Sequence, residues 1–262
     1  MLRVNSWLQV SCLKRLFSSW ASLLVFIPWL AGCAKDHEGD CFKSTGSIVT
    51  ERRALSPFQD LVTYTNVDVT LVQDATATEP YAEVRTGKNL QEDIELTVEN
   101  GRLTVRNTSR CNWVRRYDTP REVTLHVSGI RDIALLGAGN IRTGSSFRAD
   151  TVFFHLVGAG DYDLDLTSDI IYLDMYELGD VRLRGTAEEL SLTVGGLGSL
   201  RATELQTKRC FFELTRSSDG NAYVSASDIV GGLHAGTGTL YYSGDPTTDI
   251  RITSKGKAVK SQ

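Results

Sequence analysis

The chain has 262 residues, 41% of them apolar, with five prolines, 23 glycines and a formal net charge of −4. That length allows one large domain or two small ones, and the composition supports a packed core and a strand-rich chain with many turns rather than a disordered one. An acidic balance with scattered bases excludes a nucleic-acid surface.

Residues 1–32 read as a delivery segment. Lys14 and Arg15 precede an apolar run from Leu16 to Leu30, which closes on Leu30-Ala31-Gly32-Cys33. Small residues and a cysteine after a short apolar stretch resemble the lipobox of bacterial lipoproteins. This implies a signal peptide over 1–32 and a lipid on Cys33, which becomes the mature N-terminus and ties the protein to a membrane. As a spanning helix the run is poor, because Ser18, Ser19 and Pro28 interrupt it. The leader holds Arg3, Lys14 and Arg15 and no acid, so its loss lowers the net charge by three, from −4 to −7. Residues 33–47 form a lipidated polar tether, whose Asp36, Glu38 and Asp40 resemble surface-export signals of some Gram-negative lipoproteins. The expected location is the bacterial outer membrane at the cell surface, with the periplasmic face as the alternative.

With Cys12 in the leader and Cys33 acylated, Cys41, Cys111 and Cys210 remain. Beyond the inner membrane disulfides persist, and a Cys41–Cys111 bridge ties the start of the domain to its first hairpins. Cys210 shares parity with Phe212 and Leu214 and is expected as a buried free thiol. No Cys-x-x-Cys exists, and His37, His126, His155 and His234 stand in unrelated contexts, so neither a metal nor a cofactor is expected.

From 48 to 131 the chain reads as an N-terminal β region. Asn66-Val67-Asp68-Val69-Thr70-Leu71 alternates with period two, the mark of a half-buried strand. Residues 94–105 read as a hairpin around Asn100-Gly101. A type I′ turn there sets Val98 opposite Leu103 and Glu99 opposite Arg102. This region begins the sheet system and caps it.

From 132 to 262 the chain repeats. Gly139, Gly160, Gly179, Gly198, Gly220, Gly238 and Gly256 are 21, 19, 19, 22, 18 and 18 residues apart. Two residues after each stands a mostly apolar column, Ile141, Tyr162, Val181, Leu200, Ala222, Leu240 and Ala258; one residue after stands a polar one, from Asn140 to Lys257. Before the glycines, Val152, Phe154 and Leu156, then Ile171, Leu173 and Met175, then Leu190, Leu192 and Val194 keep one parity. Each repeat is therefore strand, glycine turn, strand and polar corner. Stacked copies make an all-β, right-handed parallel β-helix-like solenoid with coils of about 20 residues. Each glycine supplies either a positive φ or room for the neighbouring coil. The register places Asp163 between Arg142 and Arg182 on the outer face and turns Leu183 inward. Leu178-Gly179-Asp180 and Ser218-Asp219-Gly220 lack the full Gly-x-Gly and are expected to mark bent coils.

These repeats, together with Val67-Asp68-Val69-Thr70-Leu71, Leu240-Tyr241-Tyr242-Ser243-Gly244-Asp245-Pro246, Asp40-Cys41 and Cys111-Asn112-Trp113, resemble the putative auto-transporter adhesin, head GIN domain family. The resemblance spans about Ile48 to Gly256. It implies a secreted or lipid-anchored β-helical protein of bacterial envelopes and brings no catalytic residues with it.

Two functional readings follow. On the parity opposite the core stand Phe153, His155 and Val157, then Tyr172, Asp174 and Tyr176, with Phe211 and Glu213 two coils on. Aligned by the repeat, Phe153 lies over Tyr172. Phe153, His155, Tyr172 and Tyr176 are the candidate contact residues of an adhesin or scaffolding module, for an extended glycan or an extracellular protein. The alternative is a β-helical carbohydrate-active enzyme, a polysaccharide lyase or a glycosidase, which needs clustered acids. Asp161, Asp163 and Asp165 are the best such cluster and, with Asp180, the best site for calcium. Solvation and Asx turns account for them more simply, so no catalytic residue is assigned.

Overall fold

A computed structural model describes residues 44–74, 76, 79–109 and 119–261. All lie in the compact unit Asp40–Gln262. The leader, Cys33, Cys41 and Cys111 fall outside the described residues.

Strands are numbered in chain order. The first seven are β1 (Ile48–Ala54), β2 (Asp60–Thr63), β3 (Asp68–Gln73), β4 (Tyr81–Gly87), β5 (Ile94–Glu99), β6 (Arg102–Asn107) and β7 (Glu122–Val127). Then come β8 (Asp132–Leu135), β9 (Ile141–Thr143), β10 (Phe147–Leu156), β11 (Tyr162–Met175), β12 (Val181–Gly196) and β13 (Leu200–Ser218). The last four are β14 (Ala222–His234), β15 (Thr239–Ser243), β16 (Thr247–Ile252) and β17 (Lys257–Lys260). Apart from a 3-10 turn at Lys88–Leu90, the described residues hold no helix.

The strands stack as a β-solenoid with coils about 20 residues apart. One wall, the first sheet, carries each strand that follows a glycine turn; the second sheet carries each strand that precedes one. β11 to β14 bend at a polar corner and serve both walls in turn. The pairing follows the repeat. Ile141 pairs with Tyr162, Tyr162 with Val181, Val181 with Leu200, Leu200 with Ala222, Ala222 with Leu240, and Leu240 with Ala258. Those steps are the intervals between the glycines. Side chains on the inward parity of both walls fill the core, and Val152, Phe154, Leu156, Ile171, Leu173 and Leu190 are all buried. Tyr162 is the polar member of its apolar column, and its hydroxyl donates to the Ile133 carbonyl (3.0 Å).

The glycines serve close approach. A Cβ on Gly160 would lie 1.8 Å from the carbonyl oxygen of Gly139, and one on Gly179 would lie 2.0 Å from that of Gly160. Neither glycine has a positive φ. Gly198, Gly220 and Gly238 repeat the contact with the carbonyl one coil back. Gly179 keeps its place although the first glycine of its motif is missing, and the pairing keeps the same 19-residue step on both sides of that turn, with Phe153 on Tyr172 before it and Tyr162 on Val181 after it. The 22-residue step is the irregular one, with register shifts between β12 and β13 and between β13 and β14.

The polar column beside the glycines has its own ladder. Backbone N–H groups of Asn140, Asp161, Asp180 and Ser199 donate to side-chain oxygens of Asp68, Asn140, Asp161 and Asp180, at 2.7 to 3.0 Å. Thr239 donates likewise to Asn221 (2.9 Å). In these five steps a short Asx side chain ties one turn to the next, at about 1 kcal/mol per neutral bond and more where the acceptor is charged.

The N-terminal part joins the same stack out of chain order. β2 lies between β6 and β8, and β3 between β7 and β9, so the coil formed first in sequence is the second in space. Antiparallel strands close that end, β5 on β6 and β4 with β1 on β7. In the β5–β6 hairpin Val98 faces Leu103 and Glu99 faces Arg102. Asn100 and Gly101 take φ of 52° and 76°, the left-handed pair of a type I′ turn.

The register has a direct test. Leu183 is buried and Arg182 exposed. Leu183→Asp places a charge in the core and should lower the melting temperature by more than about 10 °C or abolish folding. Arg182→Asp removes one exposed ion pair, with Glu204, and should cost about 1 kcal/mol or less. Thermal melts of the two variants check the difference.

Candidate functional site

The two walls present different outer faces. On the first sheet an outward column runs through Arg142, Asp163, Arg182, Arg201, Tyr223 and Tyr241. Asp163 stands between Arg142 and Arg182, but its ion pair is diagonal, with Arg184 (2.6 Å). Arg182 turns to Glu204, and Arg142 donates to the Thr70 hydroxyl (3.0 Å). A guanidinium arm is long enough to reach a neighbour two residues along as well as the residue directly opposite. Tyr223 stacks on Tyr241, with ring centroids 4.7 Å apart.

The second sheet carries the aromatic face. One outward column runs Asp132, Phe153, Tyr172, Ser191, Phe211, Gly231 and Asp249. Phe153 and Tyr172 stack at 4.8 Å with ring planes 6° apart. The adjoining column runs Ala134, His155, Asp174, Thr193 and Glu213. His155 therefore does not join the ring stack. Its Nδ1 lies 3.1 Å from an Asp174 oxygen, and its Nε2 lies 3.7 Å from Asp132. Tyr176 stands at the turn edge beside Val157 of the preceding coil, for their N–H groups donate to Leu156 and Leu135 at equivalent places. The four sequence candidates thus share one face but occupy three columns. Burial, and then the charges of Asp174 and Glu213, raise the Tyr176 hydroxyl above its ordinary pKa.

The face is open and has gaps. Tyr176 is 44% exposed and Phe211 37%. Ser191 is too short to cover the side of Tyr172 turned away from Phe153, and Phe211 stands one coil further, about 9.6 Å from Tyr172 at two strand spacings. Beyond Phe211, Gly231 leaves a second gap. A Cβ at Gly231 would meet its nearest neighbour at an ordinary 3.4 Å, so packing does not demand a glycine there. A shallow groove of about 340 Å³ follows, lined by Ser191, Thr193, Phe211, Glu213, Gly231 and Asp249. Such a face offers ring edges, two gaps of ring thickness, and carboxylates and hydroxyls beside them.

Sequence reading placed Val157 and Tyr176 outward but missed the rest of the turn edge. Leu136, Leu178 and Leu197 are also exposed there, the last two by 60%. Their signal was an apolar residue at the x of Gly-x-Gly or immediately before its first glycine, where only a small or polar side chain is needed.

The acidic cluster takes another role. Asp161 and Asp180 accept backbone hydrogen bonds in the turn ladder, and Asp163 pairs with Arg184. Among the described residues no group of three or more His, Cys, Asp or Glu side chains is arranged to hold a metal ion. Cys210 is a free thiol in the core, between Leu190 and Val230 of adjacent coils.

The fold and this face define a β-solenoid with an exposed aromatic face. The chain belongs to the family described as putative auto-transporter adhesin, head GIN domain, whose model matches residues 57–246. In structure it is similar to a putative adhesin from Bacteroides fragilis (19% identity, TM-score 0.75, covering 84% of this chain and 100% of that one). It is also similar to a putative lipid binding protein from Parabacteroides distasonis (19% identity, TM-score 0.64, covering 84% and 100%). A third is a putative adhesin from Parabacteroides merdae (18% identity, TM-score 0.57, covering 83% and 97%). At these identities the likeness is one of fold. No curated protein matches the chain. The family points to a non-enzymatic, adhesin-like role at the cell surface or envelope.

Burial pushes the Cys210 thiol from 9.0 up to about 12. The folded protein should resist iodoacetamide at pH 8 and react once denatured, which mass spectrometry of the Cys210 peptide will show. The native state holds this proton more tightly than the unfolded chain does. Its contribution to stability is therefore complete below pH 9 and is lost as pH rises toward 12.

Proposed function

We propose that this protein is a lipid-anchored adhesin-like module that grips an extended polymer along the aromatic face of its second sheet. The observation that carries the reading is the outward column Phe153, Tyr172, Ser191, Phe211, Gly231, in which stacked rings alternate with gaps. A glycan strand suits this spacing. A sugar ring has apolar faces that pack on aromatic rings and a hydroxyl rim that needs acceptors and donors, here His155, Asp174, Thr193 and Glu213. Each contact is modest, so retention rests on many anchored copies acting together. Cys33 supplies the anchor.

Beads coated with the protein and offered to glycan and matrix-protein arrays test the reading. Tyr172→Ala with Tyr176→Ala, and separately Phe211→Ala, should weaken capture severalfold while shifting the melting temperature by only a few degrees. Capture equal to that of the unaltered protein would place the contact elsewhere, and capture of matrix proteins alone would replace the glycan by a polypeptide.

The anchor is tested apart from the ligand. Cys33→Ser should abolish labelling by a fatty-acid probe and release the protein from the detergent phase, because the thiol is the acyl acceptor.

A further inference from the structure

The two walls of the stack stop at different heights at the N-terminal end. Beyond the coil of β6 and β7 the first sheet carries β4 and then β1, whereas the second sheet carries β5 alone. β1 therefore overhangs, and the place beside β5 that would face it across the core holds no strand among the described residues. That place is a groove of about 980 Å³, with Glu51, Arg53 and Leu55 on the β1 side and Ile94, Glu95 and Leu96 on the β5 side.

The open edge of β5 has main-chain groups to offer. In a two-residue hairpin the residues flanking the turn exchange both backbone bonds, and from there bonded pairs alternate with unbonded ones. Glu99 and Arg102 flank Asn100-Gly101, so Glu99, Thr97 and Glu95 bond to β6, while the N–H and C=O of Val98, Leu96 and Ile94 point away from it. Two contacts agree with this. The Asp93 carbonyl accepts from Thr108 on the β6 side (2.8 Å), and the Ile94 carbonyl accepts from Arg53 across the groove (2.6 Å). Leu96 and Val98 thus present two donors and two acceptors with no partner among the described residues, and their side chains pack on the core while only half-buried.

The outer side of this edge is acidic. Glu92, Glu95 and Glu99 are exposed, and none forms an ion pair among the described residues. The bases opposite them on β6 are turned elsewhere, for Arg102 lies 3.7 Å from Asp60 and Arg106 lies over the Tyr64 ring. Within the groove Arg53 is held by the Gln91 and Ile94 carbonyls, and Lys88 stands before the strand begins.

We infer that this notch takes one extended, basic segment of another protein, which adds to β5 as the missing strand of the second sheet. The overhang sets the size of the occupant. A sheet end that is level in both walls, such as β16 with β17, cannot pass β1 to reach β5, whereas a single strand at the ordinary spacing of about 4.8 Å fits beside it. Strand addition takes affinity from main-chain bonds and selectivity from alternate side chains. Apolar residues on one parity cover Leu96 and Val98, and lysines or arginines on the other stand beside Glu95 and Glu99.

Fluorescence anisotropy with a labelled seven-residue peptide, Lys-Val-Lys-Val-Lys-Val-Lys with blocked ends, tests this on the purified chain. That peptide should bind at least tenfold more tightly than one of the same composition with its lysines and valines in two blocks, and than its Glu-Val counterpart. Leu96→Pro takes a donor from the open edge and no bond from the β5–β6 ladder, and it should weaken binding about tenfold. Glu95→Lys with Glu99→Lys should do the same and turn the preference toward the Glu-Val peptide. Both glutamates are exposed, so this second variant keeps the test open should the proline disturb the strand, and circular dichroism melts of each variant will show whether the fold is kept. Equal binding of the alternating and block peptides, binding that a folded Leu96→Pro leaves unchanged, or a chain that dimerises in sedimentation equilibrium and binds no peptide would overturn the inference.

Discussion

The approach of each turn glycine to a carbonyl one coil back is the contact on which the rest of this structure depends. With the Cβ position of Gly160 only 1.8 Å from the Gly139 oxygen, a side chain there requires the backbones to separate. Separation at the turn would open the ladder of strand bonds on both walls, since each coil is a continuous ribbon running through the turn. The glycine therefore fixes the strand spacing at one edge of the solenoid, and the Asx ladder beside it fixes the lateral step. Asp161 illustrates the division. Its side chain accepts from the next coil, while the N–H of Tyr162 beside it donates to the Asp180 carbonyl. Two bonds per coil in opposite senses leave little freedom to slip.

That constraint also explains which parts of the fold were legible in the sequence. Once glycines recur at a period near twenty, every residue between them has a known column, and parity decides its side of the wall. Leu183, Cys210 and the Phe153–Tyr172 pair follow from counting alone. The Asn100-Gly101 turn was legible because a two-residue loop with two left-handed residues admits one register. The placement of β2 and β3 between later strands was not legible, because nothing local distinguishes a coil stacked in order from one stacked out of order. The diagonal reach of Arg184 to Asp163 was hidden for another reason: columns give Cα positions, whereas a guanidinium chooses among several carboxylates within its arm's length. The site was half legible. Alignment brought the rings together on paper, but the openness of the face and the apolar turn edge at Leu178 and Leu197 depend on what does not lie above them.

A repeating core implies a repeating exterior, and the two walls use this differently. The first sheet mixes acids, bases and tyrosines, and its ion pairs cross between coils. The second sheet places rings, short side chains and a glycine in one line. Since Gly231 has room for a Cβ and no left-handed backbone, neither packing nor chain geometry requires the gap beside Phe211.

The ends of the stack show where this repetition gives out. At the C-terminal end Lys260 and Thr248 stand in inward columns that inner coils fill with apolar side chains, and Ile250 and Ile252 stay partly exposed there. At the N-terminal end the first sheet carries two strands, β4 and β1, beyond the β6–β7 coil, whereas the second sheet carries only β5. Arg53 crosses from β1 to the Gln91 and Ile94 carbonyls at that step. A terminal strand has no neighbour to bond the backbone groups on its outer side, so a side chain long enough to reach across takes over part of that role.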